Sequence, residues 1–311
     1  MRKPSNFDAK LAHSISLLQK AEKFALLYNP EEGYFLAFSG GKDSQAIYHV
    51  AKMAGVKFTA HMHLTSVDPP EVIRFVKHSY PDVILHKPID SIFHIALKKG
   101  LPTQLHRWCC AIYKEGGGIG MATIIGIRHE ESVRRSRRSE VEMRSRGYSG
   151  DLQGFETHRA DILTKKAIAD GTGYEKYDPK SDTTTTCMSG KDSLLISPII
   201  DWTENDVWYF LNEVAKVPHC ELYDQGWHRI GCIGCPMASK KYRRKEDERW
   251  PHVKRNWIKA CQARVDAGKA PDFQNGEEYY DWWLSRLSIK EYIFNKRRQK
   301  TINFDDYEEK V

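Results

Sequence analysis

Phe35–Val50 reads FLAFSGGKDSQAIYHV. Tyr34–Phe38 is an apolar run with the length and bounds of a buried strand, and Lys42–Met53 carries apolar residues at helical spacing. Between them lies Ser39-Gly40-Gly41-Lys42-Asp43-Ser44. Glycines at a strand-to-helix turn let backbone N–H groups converge on an anion with no Cβ in the way. The helix that follows adds its positive N-terminal end to the same point. Ser39 and Ser44 offer hydroxyl donors, Lys42 offers charge, and Asp43 is suited to orient Mg²⁺ or shape the loop. A Gly-Gly turn alone is weak evidence; the strand before it and the helix after it make this one a candidate phosphate loop.

Outward from the loop the same alternation continues. Leu11–Tyr28 predicts an amphipathic entry helix, Lys57–His63 a second strand, and the stretch from Pro69-Pro70 a helix with proline in its first turn. Val83–His86 predicts a third strand, Ile89–Lys99 a helix, and Thr123–Ile127 a fourth strand. Strand and helix alternating this way call for an α/β fold with a doubly wound, mostly parallel sheet. From Arg144 to Ser193 periodicity is lost, which reads as an insertion or a functional loop. Thr203 is a candidate cap for a helix over Glu204–Val214. The chain after Cys235 is helix-like and rich in charge and tryptophan, a helical C-terminal extension. We place the domain boundary so that 1–215 is the nucleotide-binding α/β domain and 216–311 the Cys-x-x-Cys and basic helical region.

Charged residues make up 29% and apolar residues 41%, the profile of a folded chain and not a disordered one. No apolar run reaches the roughly 20 residues of a membrane span. The N-terminal MRKPSNFDAK has no apolar core behind its positive start, so a cytoplasmic protein with no membrane part is expected. A net charge of +7 suits a polyanionic partner, a description that ATP itself meets.

The seven cysteines are an odd number in a chain without a leader, which argues against a disulfide framework. Cys109-Cys110 and Cys232-x-x-Cys235 form two pairs separated by about 120 residues. Two such pairs can supply four thiolates to one metal centre, and spacing does not separate zinc from iron–sulfur. Cys220 and Cys261 read as buried small apolar residues, and Cys187 as a bystander or an accessible sulfur-carrying thiol.

SGGKDS at this place resembles the pyrophosphate loop of the N-type ATP pyrophosphatases, with an adenine nucleotide alpha-hydrolase-like fold. It is not a Walker loop, which has a different glycine spacing. Arg107–Cys110, Gly126-Ile-Arg128 with Glu130-Glu131-Ser132 and Arg135, Ser197–Leu211 and Leu222–Cys235 resemble blocks of the PAPS/APS reductase family. The resemblance covers roughly residues 30–240. It implies that the loop Ser39–Ser44 grips the β and γ phosphates of ATP and that Arg128 faces phosphates or an acidic substrate group. Gly126 belongs to the same nucleotide site, and His63–Thr65 lines the adenine pocket mainly through backbone. Lys42, Asp43 and Arg128 are the implied catalytic residues. The adjacent Cys-Cys resembles the iron–sulfur APS reductases and implies a 4Fe–4S cluster on Cys109, Cys110, Cys232 and Cys235, with zinc, or reduced or redox-active thiols, as the alternatives. Lys114 falls where that family places a positive charge near the cluster, although Tyr113 and the Gly-Gly after Glu115 depart from its pattern.

Two further departures shape the functional expectation. Sulfonucleotide reductases have a degraded loop without the lysine and a cysteine-bearing C-terminal tail; this chain keeps SGGKDS whole and its NFDDYEEKV has no cysteine. The expected enzyme is therefore an ATP pyrophosphatase that adenylylates a substrate for sulfur transfer, resembling the DNA phosphorothioation ATPases of the Dnd and Ssp systems. A tRNA thiolation enzyme is the nearest variant. The implied sulfur source is a cysteine desulfurase or persulfide carrier. The alternatives are a PAPS or APS reductase and a nucleotide-gated, non-catalytic subunit.

Arg134-Arg135-x-Arg137-Arg138, Lys240–Lys245 and Lys296–Arg298 are dense positive segments. With Tyr242, Trp250 and Trp257 interleaved they suit a nucleic-acid partner. Solvated helix faces paired with Glu140, Glu142, Glu246, Asp247 and Glu248 are the competing account.

Overall fold

The computed structural model of the protein describes residues 2–144, 147–159 and 193–301. Cys187, Arg146, most of the aperiodic stretch before Ser193 and the NFDDYEEKV terminus lie outside the described residues.

The apolar run before the loop forms β1 (Tyr34–Ala37), whose Tyr34, Phe35 and Leu36 are buried. A strand buried on both faces has to sit inside a sheet, and β1 pairs in parallel with β2 (Phe58–His63) and with β4 (Ala122–Ile124). The remaining strands are β3 (Ile84–His86), β5 (Val141–Met143), β6 (Ser149–Gly150) and β7 (Leu194–Ile196). The order across the sheet is β3-β2-β1-β4-β7-β5-β6. The first five of these positions are joined in parallel, while β5 runs antiparallel to β7 and β6 to β5. The strand order reverses between β1 and β4, which makes the loops after those two strands neighbours at a topological switch point. The doubly wound, mostly parallel sheet is as expected; its antiparallel edge was not.

Helices α1 (Phe7–Tyr28) and α2 (Lys42–Ala54) pack against each other and against β1. Leu18, Ala21 and Ala25 of α1, Ile47 and Val50 of α2, and Leu36, Ile124 and Ile196 of the sheet are fully buried. Each large aliphatic side chain buried this way contributes about 1.5–3 kcal/mol. Thr203 caps the helix Glu204–Tyr209: its hydroxyl accepts from the Asp206 N–H at 3.1 Å, and the Asp206 carboxylate accepts the Thr203 N–H at 2.7 Å. The turn after it, Phe210–Val214, is a π-helix.

The chain divides into two compact units, and the division is not the linear one expected. The second unit gathers Leu64–Pro69, Lys87–Glu115 and the chain from Gly231 onward; the first holds everything else, including residues 216–230. The boundary near 215 therefore shifts, because the chain leaves the first unit where β2 ends and again where β3 ends. Composition along a sequence does not mark such excursions.

The second unit contains α4 (Ile92–Lys99), α5 (Trp108–Tyr113) and four C-terminal helices: Lys240–Arg249, Pro251–Asp266, Gly276–Ser285 and Ile289–Thr301. Helix α3 (Pro70–Ser79) itself belongs to the first unit. Trp257, Trp283, Tyr280 and Cys261 form the core of the second unit, with the Arg243 guanidinium lying 3.8 Å from the Trp283 ring centre. Cys220 and Cys261 are fully buried, as their reading as small apolar residues requires. Among the described residues no helix is long and apolar enough to cross a membrane.

Candidate functional site

The loop between β1 and α2 is braced from within. The Ser44 hydroxyl accepts from the Ser39 N–H at 3.1 Å, lies 3.2 Å from the Ser39 hydroxyl, and donates to the Gly41 carbonyl at 2.8 Å. Ser44 is thereby a structural brace, while Ser39 is exposed. Gly40 has φ +73°, and a Cβ there would come within 2.7 Å of Val72 and 2.8 Å of Val76 on α3. Both the left-handed backbone and the close approach demand glycine.

Gly126, just past β4, serves the same region from the other side. A Cβ on it would stand 2.9 Å from the Asp43 carbonyl oxygen, so only glycine lets the β4 exit reach the start of α2. Two residues on, Arg128 is 3% exposed and points its guanidinium back at the loop. Its Nε donates to Asp43 Oδ1 at 2.6 Å, and its Nη1 donates to Glu130 Oε2 at 2.8 Å and to the Trp202 carbonyl at 3.4 Å. Burial opposes the Arg128 charge, but Asp43, Glu131 and Glu130 outweigh it and hold its pKa above the ordinary value. Arg128 is a fixed cation.

Lys42 is 6% exposed. Its ammonium lies 3.4 Å from Glu204 Oε1, 3.6 Å from Asp43 Oδ2 and 3.5 Å from the His228 carbonyl. Its backbone N–H, at the first turn of α2, donates to the Tyr223 hydroxyl at 2.8 Å. Glu130 also accepts the Glu204 N–H at 2.5 Å, which ties the β4 loop to the helix Glu204–Tyr209. Lys42, Asp43 and Arg128 are thus brought together as expected, and Glu130, Glu204 and Tyr223 join them. The family-like blocks flagged Glu130 and the stretch around Tyr223 without a role; the helix start at Glu204 carried only a capping signal.

Asp43 was expected either to orient Mg²⁺ or to shape the loop. Its carboxylate faces Arg128 and Lys42, and among the described residues no group of three or more His, Cys, Asp or Glu is arranged to hold a metal ion. These contacts fit the shaping role.

His63 ends β2 opposite His86 at the end of β3. The two rings stack 4.4 Å apart, His61 Nδ1 lies 2.9 Å from His86 Nε2, and Phe35 stacks on His61 at 4.2 Å. Burial, then His86 and His63, push His61 down to about 4, against a smaller opposing effect of Glu32. Burial and His86 lower His63 as well. Thr65 belongs to the second unit, where its N–H goes to Asp68 Oδ2 at 2.5 Å and its hydroxyl to Cys232 Sγ at 3.4 Å. It serves the cysteine loop.

All four cysteines of the expected metal centre lie in the second unit and are free thiols. Cys109 and Cys110 open α5. Cys232 and Cys235 sit on a turn whose Gly234, at φ +75°, donates its N–H to the buried Glu246 carboxylate at 2.8 Å, while the Ile233 N–H donates to the Val67 carbonyl at 2.7 Å. The donor chemistry suits a cluster: four thiols with Arg107 and Lys114 to offset their charge. Among the described residues no group of three or more His, Cys, Asp or Glu is arranged to hold a metal ion, these thiols included. Protein donors reach several of these sulfurs. Arg107 Nη2 donates to Cys110 Sγ at 3.2 Å, Cys109 hydrogen-bonds Cys110, and Thr65 and Lys114 hydrogen-bond Cys232. The Cys109 hydrogen bond, with Arg107 and Lys114, holds Cys110 below the usual thiol range against its burial; the same bond pushes Cys109 up.

Of the first basic segment, Arg135 pairs with Glu131 and Arg138 with Glu142, whereas Arg134 and Arg137 are exposed. Lys296 pairs with Glu278 at 2.6 Å, and Arg243 is buried in the core of the second unit.

A glycine loop and a buried arginine meet at the switch point of a mostly parallel sheet, where open α/β sheets place their ligand crevice. Residues 33–238 match the phosphoadenosine phosphosulfate reductase domain, and the chain belongs to that family. An uncharacterized protein of Methanocaldococcus jannaschii is 25% identical over 250 residues, covering 79% of this chain and 51% of that protein. The adenosine 5'-phosphosulfate reductase of Bacillus cytotoxicus is 36% identical over 90 residues, covering 29% of this chain and 38% of that protein. The chain thus spans about half, or less, of the length of these relatives. Among solved structures, the phosphoadenylyl-sulfate reductase of Candida auris, in a phosphate complex, aligns with TM-score 0.42 at 16% identity, over 76% of this chain and 98% of that one.

Proposed function

We propose that the first unit binds ATP at Ser39–Ser44 and splits it between the α and β phosphates, transferring AMP to an acceptor oxygen that sulfur then replaces. The observation that carries this reading is the intact loop with Lys42 and Arg128 both buried beside Asp43. Two desolvated cations at a glycine loop suit a leaving pyrophosphate, whose charge builds up in the transition state. Lys42 and the first-turn amides of α2 would hold the leaving group. Arg128 fixes Asp43 and, through Glu130, the start of the helix that bears Glu204. The acceptor oxygen attacks the α phosphorus, the bond to pyrophosphate breaks, and any proton on that oxygen passes to solvent. The terminal sulfur of a persulfide on a cysteine desulfurase or carrier then displaces AMP, and a second thiol cleaves the resulting acceptor–S–S–carrier bond, leaving the sulfur on the acceptor and a disulfide on the donor side.

We assign the acceptor to nucleic acid, DNA or tRNA, because Arg134 and Arg137 stand exposed on the segment that follows Arg128. A second reading, reduction of APS or PAPS, is favoured by the Bacillus cytotoxicus relative. The test is to incubate the protein with [α-³²P]ATP, and separately with APS and PAPS, and to identify the products. Pyrophosphate with labelled AMP or an adenylylated acceptor supports the first reading. Sulfite from APS or PAPS, with ATP untouched, replaces it with the second.

A further inference from the structure

We propose that the Tyr223 hydroxyl is a place-holder at the phosphate loop: without nucleotide it occupies the Lys42 amide, and an incoming polyphosphate takes that amide from it. The inference rests on reading Ser39–Ser44 as a polyphosphate site.

The Lys42 N–H is a first-turn donor of α2 with no partner inside the helix, the type of group that helix starts offer to anions. Here it donates to Tyr223 Oη at 2.8 Å. The same hydroxyl would lie 3.5 Å from a Cβ on Gly41, so it sits on the loop and not beside it. The segment that delivers Tyr223 also supplies a second acceptor, the His228 carbonyl, 3.5 Å from the Lys42 ammonium. The ammonium in turn lies 5.9 Å from the centre of the Tyr223 ring. One short stretch of chain therefore reaches both donors of Lys42 with neutral oxygens, while the ammonium also faces the Glu204 and Asp43 carboxylates. At the amide a phosphate oxygen accepts the same bond with charge assistance, roughly twice as strongly, so exchange there favours the ligand.

The segment is a run of local turns, Tyr223 N–H to the Cys220 carbonyl, Gly226 N–H to the Tyr223 carbonyl and Trp227 N–H to the Leu222 carbonyl, anchored by buried Cys220, Leu222 and Trp227 and open at its tip. Asp224, Gln225 and Gly226 are exposed, and Gly226 has φ +76° with open space around it. The Tyr223 ring meets Trp208 edge-on at 4.9 Å, which places an optical reporter against the moving group.

Isothermal titration with inorganic pyrophosphate, and with ATP in MgCl₂, tests the exchange in wild type, Tyr223→Phe and Lys42→Ala. Removing the competing hydroxyl removes one hydrogen bond from the unliganded state, so Tyr223→Phe should bind both ligands about fivefold more tightly. Lys42→Ala should lose them. Pyrophosphate should also change tryptophan emission in the wild type, and that change should vanish in Trp208→Phe, a readout available if Tyr223→Phe folds poorly. Unchanged or weaker binding by folded Tyr223→Phe, or an emission change that survives Trp208→Phe, overturns the place-holder while leaving the loop reading intact. Failure of the wild type to bind either ligand removes the loop reading itself, and the place-holder with it.

Discussion

Arg128 and Asp43 are 85 residues apart in the chain and meet at 2.6 Å, Nε to Oδ1, where the sheet order turns back at β1 and β4. The contact exists because Gly126 has no Cβ to hold β4's exit away from the loop. It converts two separate strand ends into one electrostatic unit.

Replacing Arg128 by methionine should be costly for that reason. Asp43 and Glu130 would keep their charges and lose their shared partner. Breaking a buried pair by removing one member typically destabilises by about 3–5 kcal/mol. Because Glu130 is half exposed, the lower end is expected, read as a fall in the urea midpoint. Arg128→Lys keeps the charge but not the fork, so it should lose less stability while still weakening nucleotide binding. Equal midpoints for wild type and Arg128→Met would contradict the assignment of this pair as a structural brace.

Acid should destabilise the first unit through its stacked histidines. Burial, His86 and His63 hold His61 at about 4, whereas an unfolded histidine titrates near 6.5. Between those values the unfolded chain binds more protons than the folded one. The stability is fully present above about pH 6.5 and is lost as pH falls towards 4. His61 alone accounts for about 3 kcal/mol by this linkage. His49, lowered to about 4 by burial and Lys52, acts in the same direction. Melting temperatures between pH 7.5 and 4.5 should fall steeply, and His61→Phe, which keeps a ring on Phe35, should flatten the curve. A slope untouched by the substitution would place the acid sensitivity elsewhere.

Nucleic-acid binding, where it occurs, should depend on specific arginines. Arg135 and Arg138 are engaged with Glu131 and Glu142, so Arg134 and Arg137 carry the exposed charge. Each phosphate contact removed should flatten the log–log salt slope by about 0.7 for single strands or 0.9 for duplex. Arg134→Ala with Arg137→Ala should show that change, and Arg138→Ala should show little. Identical slopes for the wild type and the Arg134/Arg137 double variant would exclude this segment as the contact.

Thiol reactivity offers a fourth check. In metal-free protein, Cys110 should react with iodoacetamide fastest of the described cysteines, because Cys109, Arg107 and Lys114 stabilise its thiolate. Cys220 and Cys261, fully buried, should resist modification until unfolding. Peptide mapping after a short pulse near pH 7 distinguishes them. Arg107→Ala should slow the Cys110 reaction. Were iron and sulfide to rebuild the site, protection would extend to Cys109, Cys110, Cys232 and Cys235 together, a pattern their present hydrogen bonds do not anticipate.

Much of this was legible in the sequence because the signals were local. The strand, loop and helix of Phe35–Val50, the cap at Thr203 and the burial of Cys220 and Cys261 each depend on a few adjacent residues. Arg128 was reachable through the block around it. Tyr223 and Glu204 were not given their places beside Lys42, since only the tertiary fold brings residues 42, 204 and 223 together. Strands of three and two residues, β5 and β6, are too short to show a period of two. The four cysteines illustrate a different limit. Their spacing told which residues would pair, but not that Arg107, Thr65 and Lys114 would donate hydrogen bonds to the sulfurs.

The second unit is assembled from three stretches of chain, Leu64–Pro69, Lys87–Glu115 and everything from Gly231. During synthesis its first two pieces leave the ribosome long before the third, so Cys109 and Cys110 wait for about 120 residues of translation before Cys232 and Cys235 exist. The first unit can close its sheet during that interval, but the second cannot be completed until its last stretch is made. No single cut in the gene isolates it: residues 231–311 expressed alone would lack α4, α5 and one of the two thiol pairs. A permuted gene would have to carry all three stretches to recover this unit as an independent body.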